Sequence, residues 1–173
     1  VCNGYSDIGL VLISDHQMDL WNKILTAKGL EFNLLKYVNL CACVSSNSPL
    51  YNCDYIDDIN NILDYTLILY NADDKDCLYL YERSQSQFDK FKHVINVSER
   101  EEVNKLLISK DSLCIGTDLN IKNMLNINNS GFKYKLIPFK PTIKLKFGWI
   151  KLNSLKMTSI QQKFINILQK QII

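Results

Sequence analysis

The chain has 173 residues, of which 47% are hydrophobic, 10% aromatic and 22% charged, with a formal net charge of +2. That length allows one ordinary domain or two small lobes, and the apolar content excludes intrinsic disorder. Acidic and basic residues are interspersed, so no clustered basic face marks a nucleic-acid or membrane surface, and no apolar run approaches the roughly 20 residues of a spanning helix.

The start lacks the layout of a signal peptide, and the missing initiator Met reads as a fragment or processed product. Residues 8–13 are a β-branched apolar run, expected as a strand buried on both faces. Ser14 and Asp15 offer a helix N-cap. Met18, Trp21, Ile24 and Leu25 follow at helical spacing, and Lys28-Gly29 gives a stop. Residues 37–44 read as another strand, and 45–49 are a Ser/Asn/Pro turn cluster. Ile56, Ile59 and Leu63 make a short helical stripe, residues 66–70 a strand, and 71–76 a polar loop. A helix is expected from 77 to 91, with Leu78, Tyr81, Phe88 and Phe91 inward.

Residues 93–97 form the next strand. Ser98 and Glu101 have the spacing of a capping box, ahead of a helix whose apolar face is Val103, Leu106 and Leu107. Residues 112–115 read as a strand ending at Gly116, and Thr117-Asp118 as the cap of a helix through 125. Residues 132–139 alternate as a strand, and 143–150 alternate with one solvated face that carries Lys144 and Lys146. Thr158 and Gln161 form a second capping box, opening an amphipathic helix marked by Ile160, Phe164, Ile167 and Leu168.

Alternating strands and helices predict an α/β fold with mostly parallel sheet. In such sheets ligands bind beyond the C-terminal strand ends, where helix N-termini offer free N–H groups. Polar, cap-forming residues occupy three such ends, at Ser14, at Val97-Ser98 and at Gly116-Thr117. Tyr70-Asn71 makes a fourth. These seven are the candidate ligand-binding residues. Ser98 has two readings: its hydroxyl and the following N–H groups hold a carboxylate or phosphate, or it is a plain cap worth about 1 kcal/mol. Thr117 and Ser14 have the same two readings, and Tyr70-Asn71 can equally be a simple turn.

Other chemistry is thinly represented. Asp73, Asp74 and Asp76 lack the loop glycine and further oxygen ligand of a calcium site, so they read as a solvated acidic loop. The six cysteines, Cys2, Cys41, Cys43, Cys53, Cys77 and Cys114, form no CxxC pair. His16 and His93 have no ligand at metal-site spacing. Reduced structural thiols in a cytoplasmic protein are expected, with Trp21 and Trp149 in the core. No G-x-S-x-G, H-E-x-x-H, P-loop or G-x-G-x-x-G motif occurs, so no enzyme activity and no cofactor are expected.

The order of motifs resembles the regulatory domain of LysR-type transcriptional regulators over nearly the whole chain. Residues 3–11 (NGYSDIGLV) are similar to that family's Gly-x-x-Asp-hydrophobic-Gly-hydrophobic strand. Residues 43–50 resemble its strand followed by His-Pro-Leu, with Ser48 where His is usual. Residues 56–68 resemble the short helix and Leu-x-x-Tyr-Pro-Leu-Ile that follow, with Thr66 replacing Pro. Residues 97–107 resemble the helix before its Gly-x-Gly-Ile strand, although residues 111–115 (DSLCI) lack those glycines. Residues 158–168 resemble the closing helix.

The resemblance implies a periplasmic-binding-protein-like α/β fold. It has two Rossmann-like lobes of mixed, mostly parallel sheet and two crossover hinge strands, near 40–47 and 139–143. The first lobe is 1–42 plus 143–173 and incomplete, because the family's opening β-α-β-α portion is absent. The second lobe is 43–142. The implied function is an effector-sensing domain that binds a small anionic metabolite in the interlobe cleft and so controls DNA binding and transcription by the full protein. The implied partners are a small-molecule effector, a homodimer or tetramer, and DNA only through a winged helix-turn-helix outside this chain, with no membrane and a cytoplasmic location. The alternative is an extracytoplasmic solute-binding protein of a transporter.

Overall fold

The computed structural model describes residues 1–70, 87–120 and 133–172. Asn71, the acidic loop, most of the helix expected at 77–91 and the latter part of the helix expected through 125 lie outside the described residues. The chain divides into two compact units, Val1–Val38 with Lys144–Ile173 and Asn39–Ile143.

The first apolar run folds as β1 (Gly9–Ser14) and leads through a 3₁₀ turn at Asp15–Gln17 into α1 (Met18–Lys28). Ser14 does not cap α1. Its backbone leads into the 3₁₀ turn instead, its side chain makes no capping bond, and it is buried. The stop is where it was expected: Gly29 takes φ +59, and its N–H closes the helix on the Leu25 and Thr26 carbonyls. A left-handed residue there costs a side chain about 1–2 kcal/mol, which glycine avoids.

The chain then enters β2 (Leu30–Ser45) without a loop, seven residues before the strand expected at 37. The remaining elements, in order, are β3 (Thr66–Tyr70), β4 (His93–Val97), α2 (Arg100–Leu107), β5 (Ser112–Thr117), β6 (Tyr134–Pro138), β7 (Lys144–Leu152) and α3 (Ser159–Ile172).

In the first unit β7 lies between β1 and β2, antiparallel to β1 in a register from Gly9–Ile150 to Ser14–Leu145. α1 packs on one face, where Leu25, Leu30 and Ile150 meet Val1, Val11, Trp21, Phe32 and Leu152. Trp149 is buried, as expected. The expectation of a β1 buried on both faces fails. Val11 and Ile13 point inward, but Leu10 and Leu12 are 45% and 43% exposed. β1 is an edge strand, and α1 covers only one of its faces.

α3 opens with the expected box, in which Thr158 N–H donates to Gln161 Oε1 at 2.8 Å and Gln161 N–H to Thr158 Oγ1 at 3.3 Å. Of the four residues that marked its apolar stripe, only Leu168 turns inward. Ile165 is buried, with Gln161, Leu168 and Ile172 half-buried, while Ile160, Phe164 and Ile167 are exposed.

The second unit holds the parallel part of the sheet. β3 pairs in parallel with β4, from Thr66–His93 to Tyr70–Val97, and with β5, from Thr66–Ser112 to Ile68–Cys114. The second half of β2 runs antiparallel to β5 on one side and to β6 on the other. The sheet is therefore mixed, and its order in this unit is β6-β2-β5-β3-β4. α2 lies on it over Cys43, Ile68, Val97 and Cys114, inserting Val103 and Leu107.

The stripe expected from Ile56 to Leu63 is a 3₁₀ turn at Ile59–Ile62 that buries Ile62, while Ile56 bridges to Phe139. The end of the helix expected to reach 91 is likewise different. Gln87 has φ +61 and Phe88–Lys90 is a 3₁₀ turn, with Phe88 and Phe91 buried as expected.

Cys41, Cys43 and Cys114 are buried thiols outside any disulfide, and Cys43 stands directly opposite Cys114 across β2 and β5. The neighbouring Cys114 thiol and burial both push the Cys43 thiol far up, and burial raises Cys41 to about 11. Among the described residues no group of His, Cys, Asp or Glu is arranged to hold a metal. No described helix is long and apolar enough to cross a membrane.

Candidate functional site

Because β3, β4 and β5 are parallel, their C-terminal ends emerge along one edge of the second unit. The register sets Tyr70 beside Val97. Counting two residues past the Ile68–Cys114 pair sets Tyr70 level with Gly116, which in turn faces Cys41. Five of the seven candidates, Tyr70, Val97, Ser98, Gly116 and Thr117, therefore share this edge. Ser14 ends β1 in the first unit, and Asn71 lies outside the described residues.

Their accessibility separates them. Ser98 is exposed and Gly116 half-buried, whereas Val97 and Thr117 are buried. Val97 belongs to the core beneath α2, so a ligand meets that position only through backbone.

The expected Ser98–Glu101 capping box does not form. The N-cap of α2 is Glu99, in extended conformation (φ −118, ψ 137), and it makes no side-chain capping bond. With the cap displaced by one residue, Ser98 precedes the N-cap instead of occupying it. The positive end of α2 is met by carboxylates, since Glu101 and Glu102 lie in its first turn. Those charges favour the helix dipole and weigh against a second anion at the same spot. The first turn of the chain after β5, Asp118–Asn120, is 3₁₀ rather than α-helical.

Sequence reasoning missed Asn39 and Asp118 at this edge. Asp118 Oδ1 accepts the Asn39 backbone N–H at 3.0 Å and Oδ2 accepts its Nδ2–H at 2.8 Å. The signal was present, for Asn39 is a polar residue in an apolar strand run, and such a residue needs a partner once partly buried.

No protein-family model and no curated protein sequence matches the chain. Solved structures do. The regulatory domain of MetR, a LysR-family regulator from N. meningitidis, matches with TM-score 0.67 and 12% identity over 98% of this chain and 71% of that one. The effector-binding domain of QuiR, solved in complex with shikimate, matches with TM-score 0.60 and 16% identity over 97% of this chain and 72% of that one. Full-length OxyR from Pseudomonas aeruginosa matches with TM-score 0.62 and 11% identity, over 98% of this chain and 56% of that one. The chain thus spans about seven-tenths of such regulatory domains and just over half of the full-length regulator. Its fold is the periplasmic-binding-protein-like α/β fold of LysR-family regulatory domains.

Proposed function

We propose that this chain is the effector-sensing part of a LysR-type transcriptional regulator, which binds a small polar metabolite at the C-terminal edge of β3, β4 and β5. The observation that carries this reading is the match of 97–98% of the chain to such regulatory domains, one of them holding shikimate. The parallel edge adds support from geometry, since open α/β sheets take ligands beyond their C-terminal strand ends.

Among the described residues of this edge Ser98 is exposed and Gly116 half-buried, so a ligand there can meet the Ser98 hydroxyl and the Gly116 backbone. An anionic effector has to rely on them against the carboxylates of Glu101 and Glu102. In the whole regulator, ligand binding acts by favouring one conformation of a homodimer or tetramer over another, which alters how separate DNA-binding domains meet DNA. On this reading the protein is cytoplasmic, and it releases its ligand unchanged.

A thermal-denaturation panel of small hydroxy-acids, amino acids and sugars, with shikimate first, tests the proposal. A ligand at a hundred times its Kd stabilises by about 2.7 kcal/mol. For a chain of this size that raises Tm by roughly 5–10 °C, and Ser98→Tyr should abolish the shift by filling the edge. If no compound moves Tm, or if Ser98→Tyr leaves a genuine shift intact, this edge is not the effector site.

A further inference from the structure

The ladder between β2 and β5 runs from Cys43–Cys114 to Leu40–Thr117. One step further the facing residues are Asn39 and Asp118, but there the β5 backbone has turned into the 3₁₀ turn Asp118–Asn120. A strand N–H that loses its opposing carbonyl needs another acceptor. The Asp118 carboxylate replaces it, taking the Asn39 backbone N–H on one oxygen and the Asn39 side-chain amide on the other, at 3.0 and 2.8 Å. The next residue is tied on the opposite flank of β2, where Leu40 N–H donates to the Ile143 carbonyl at 2.9 Å. Asn39 and Leu40 are thus held from both sides, and Asn39 is the residue at which the second unit begins.

Asp118 directly follows Gly116 and Thr117 of the candidate ligand edge. We propose that Asp118 is a positioning residue for that edge. Its bidentate grip on Asn39 ties the turn after β5 to the start of the unit's β2 segment, so that order at 116–120 and order at Asn39 are gained and lost together. A purely local strand cap would protect the Asn39 N–H and leave the turn indifferent. A coupled pair makes the ligand edge report on the residue where the chain enters the unit, which is what a sensor of this kind requires. The inference rests on reading this edge as the effector site, but its test needs no effector.

Residue-resolved amide hydrogen exchange of the full chain provides that test. Asp118→Ala removes both acceptors. It should speed exchange about tenfold at Asn39 and also at Thr117 and Asp118 or its replacement, as expected for loss of a charge-assisted bond. The amides of Leu67, Ile68 and Leu113 should keep their wild-type rates. Asp118→Asn retains an acceptor for the backbone N–H, so it should restore Asn39 protection in part. Asn39→Ala keeps its own N–H and loses only the side-chain amide. It should therefore loosen the turn after β5 without exposing residue 39 fully, and it carries the test if Asp118→Ala does not fold.

Faster exchange at Asn39 alone, with residues 116–118 unchanged in both variants, reduces Asp118 to a strand cap and overturns the proposal. Unchanged exchange at Asn39 in Asp118→Ala overturns it as well. Adding shikimate to the wild type separates the two readings, because a chain that ignores the ligand yet shows the joint exchange response retains the coupling and loses the effector site.

Discussion

A methyl group added at residue 148 gives a quantitative test of how β7 and β2 pack in the first unit. The Cβ of an alanine there would stand 2.4 Å from Phe32 Cε2, 2.6 Å from Phe32 Cζ and 2.5 Å from the Asn33 carbonyl oxygen. Ordinary carbon contacts lie at about 3.5–4.0 Å, so β2 would have to retreat by roughly 1 Å or the Phe32 ring would have to swing out. The ring can move. The carbonyl oxygen is part of the strand and cannot move alone.

Overpacking of this kind costs about 3 kcal/mol at the upper end of its usual range. With a urea m-value of about 2 kcal/mol per M, Gly148→Ala should lower the midpoint by roughly 1.5 M. Gly29→Ala is the control. Its site is open, with nothing within 4 Å, and only the φ of +59 opposes a side chain, so the loss should be about 1 kcal/mol. In a Phe32→Ala background the 148 methyl should still cost more than half its original penalty, because the Asn33 carbonyl remains. A Gly148→Ala midpoint within about 0.2 M of wild type, or full relief by Phe32→Ala, would refute the strand-to-strand contact.

Four further outcomes follow from individual side chains. Thr158→Ala should cost about 1 kcal/mol and Ser98→Ala less than about 0.3 kcal/mol, since Thr158 caps α3 and Ser98 does not cap α2; equal losses in chemical denaturation would mean that the α2 cap has been misassigned. The Lys146 ammonium beside Asp15 holds its carboxyl below the usual 3.8. A depressed carboxylate stabilises the fold above its unfolded pKa and loses that contribution as pH falls through the folded one. Asp15→Asn should therefore differ from wild type by at most about 1 kcal/mol at neutral pH, the Asp15 carboxylate being largely exposed, and the two should converge in acid. Cys41, raised to about 11, and Cys43, raised further, stay protonated in the fold when an unfolded thiol ionises near 9.0. Stability should then fall as pH climbs above 9, by up to about 1.4 kcal/mol per unit for each thiol. At pH 8, iodoacetamide should label the exposed Cys2 and spare Cys41, Cys43 and Cys114 until denaturant is added; rapid labelling of the buried thiols counts against this packing.

The candidate edge was only partly legible in the sequence. The strand endings at Tyr70 and Val97 could be read because each run of β-formers gives way to polar residues, whereas the strand read as ending at Gly116 runs on through Thr117; the parallel pairing follows from the alternation with helices. What those polar residues do was less accessible. The spacing from Ser98 to Glu101 satisfies a capping box, yet the helix begins one residue later, and Glu99 takes the cap position with no side-chain bond. A motif of four residues specifies which bonds are possible, whereas the path of β4 into α2 decides which are made. The Asn39–Asp118 pair spans 79 residues of sequence. Nothing local to either residue identifies the other, and only the β2–β5 register does.

The same distinction explains the two elements of the first unit whose burial departs from the expected pattern. Hydrophobic periodicity reports a repeat, and a repeat has a phase that the repeat alone does not determine. In α3 the stripe read from the sequence, Ile160, Phe164, Ile167 and Leu168, satisfies helical spacing, and so does the set Gln161, Ile165, Leu168 and Ile172, which shares Leu168 with it. The second set faces inward. The more apolar stripe would be chosen by composition, but Gln161 is engaged twice, in the Thr158 box and by donating to Asp7 Oδ2 at 3.0 Å. Lys36 Nζ holds the far end through the Ile172 carbonyl at 2.9 Å. Anchoring a helix at both ends through one side leaves its rotation little freedom, so the polar contacts select the phase and the apolar residues Ile160, Phe164 and Ile167 are carried outward. β1 shows the strand version of the same effect. Its residues are apolar on both faces, yet of these apolar residues only Val11 and Ile13 turn inward, on the face where α1 packs, and Leu10 and Leu12 stay exposed.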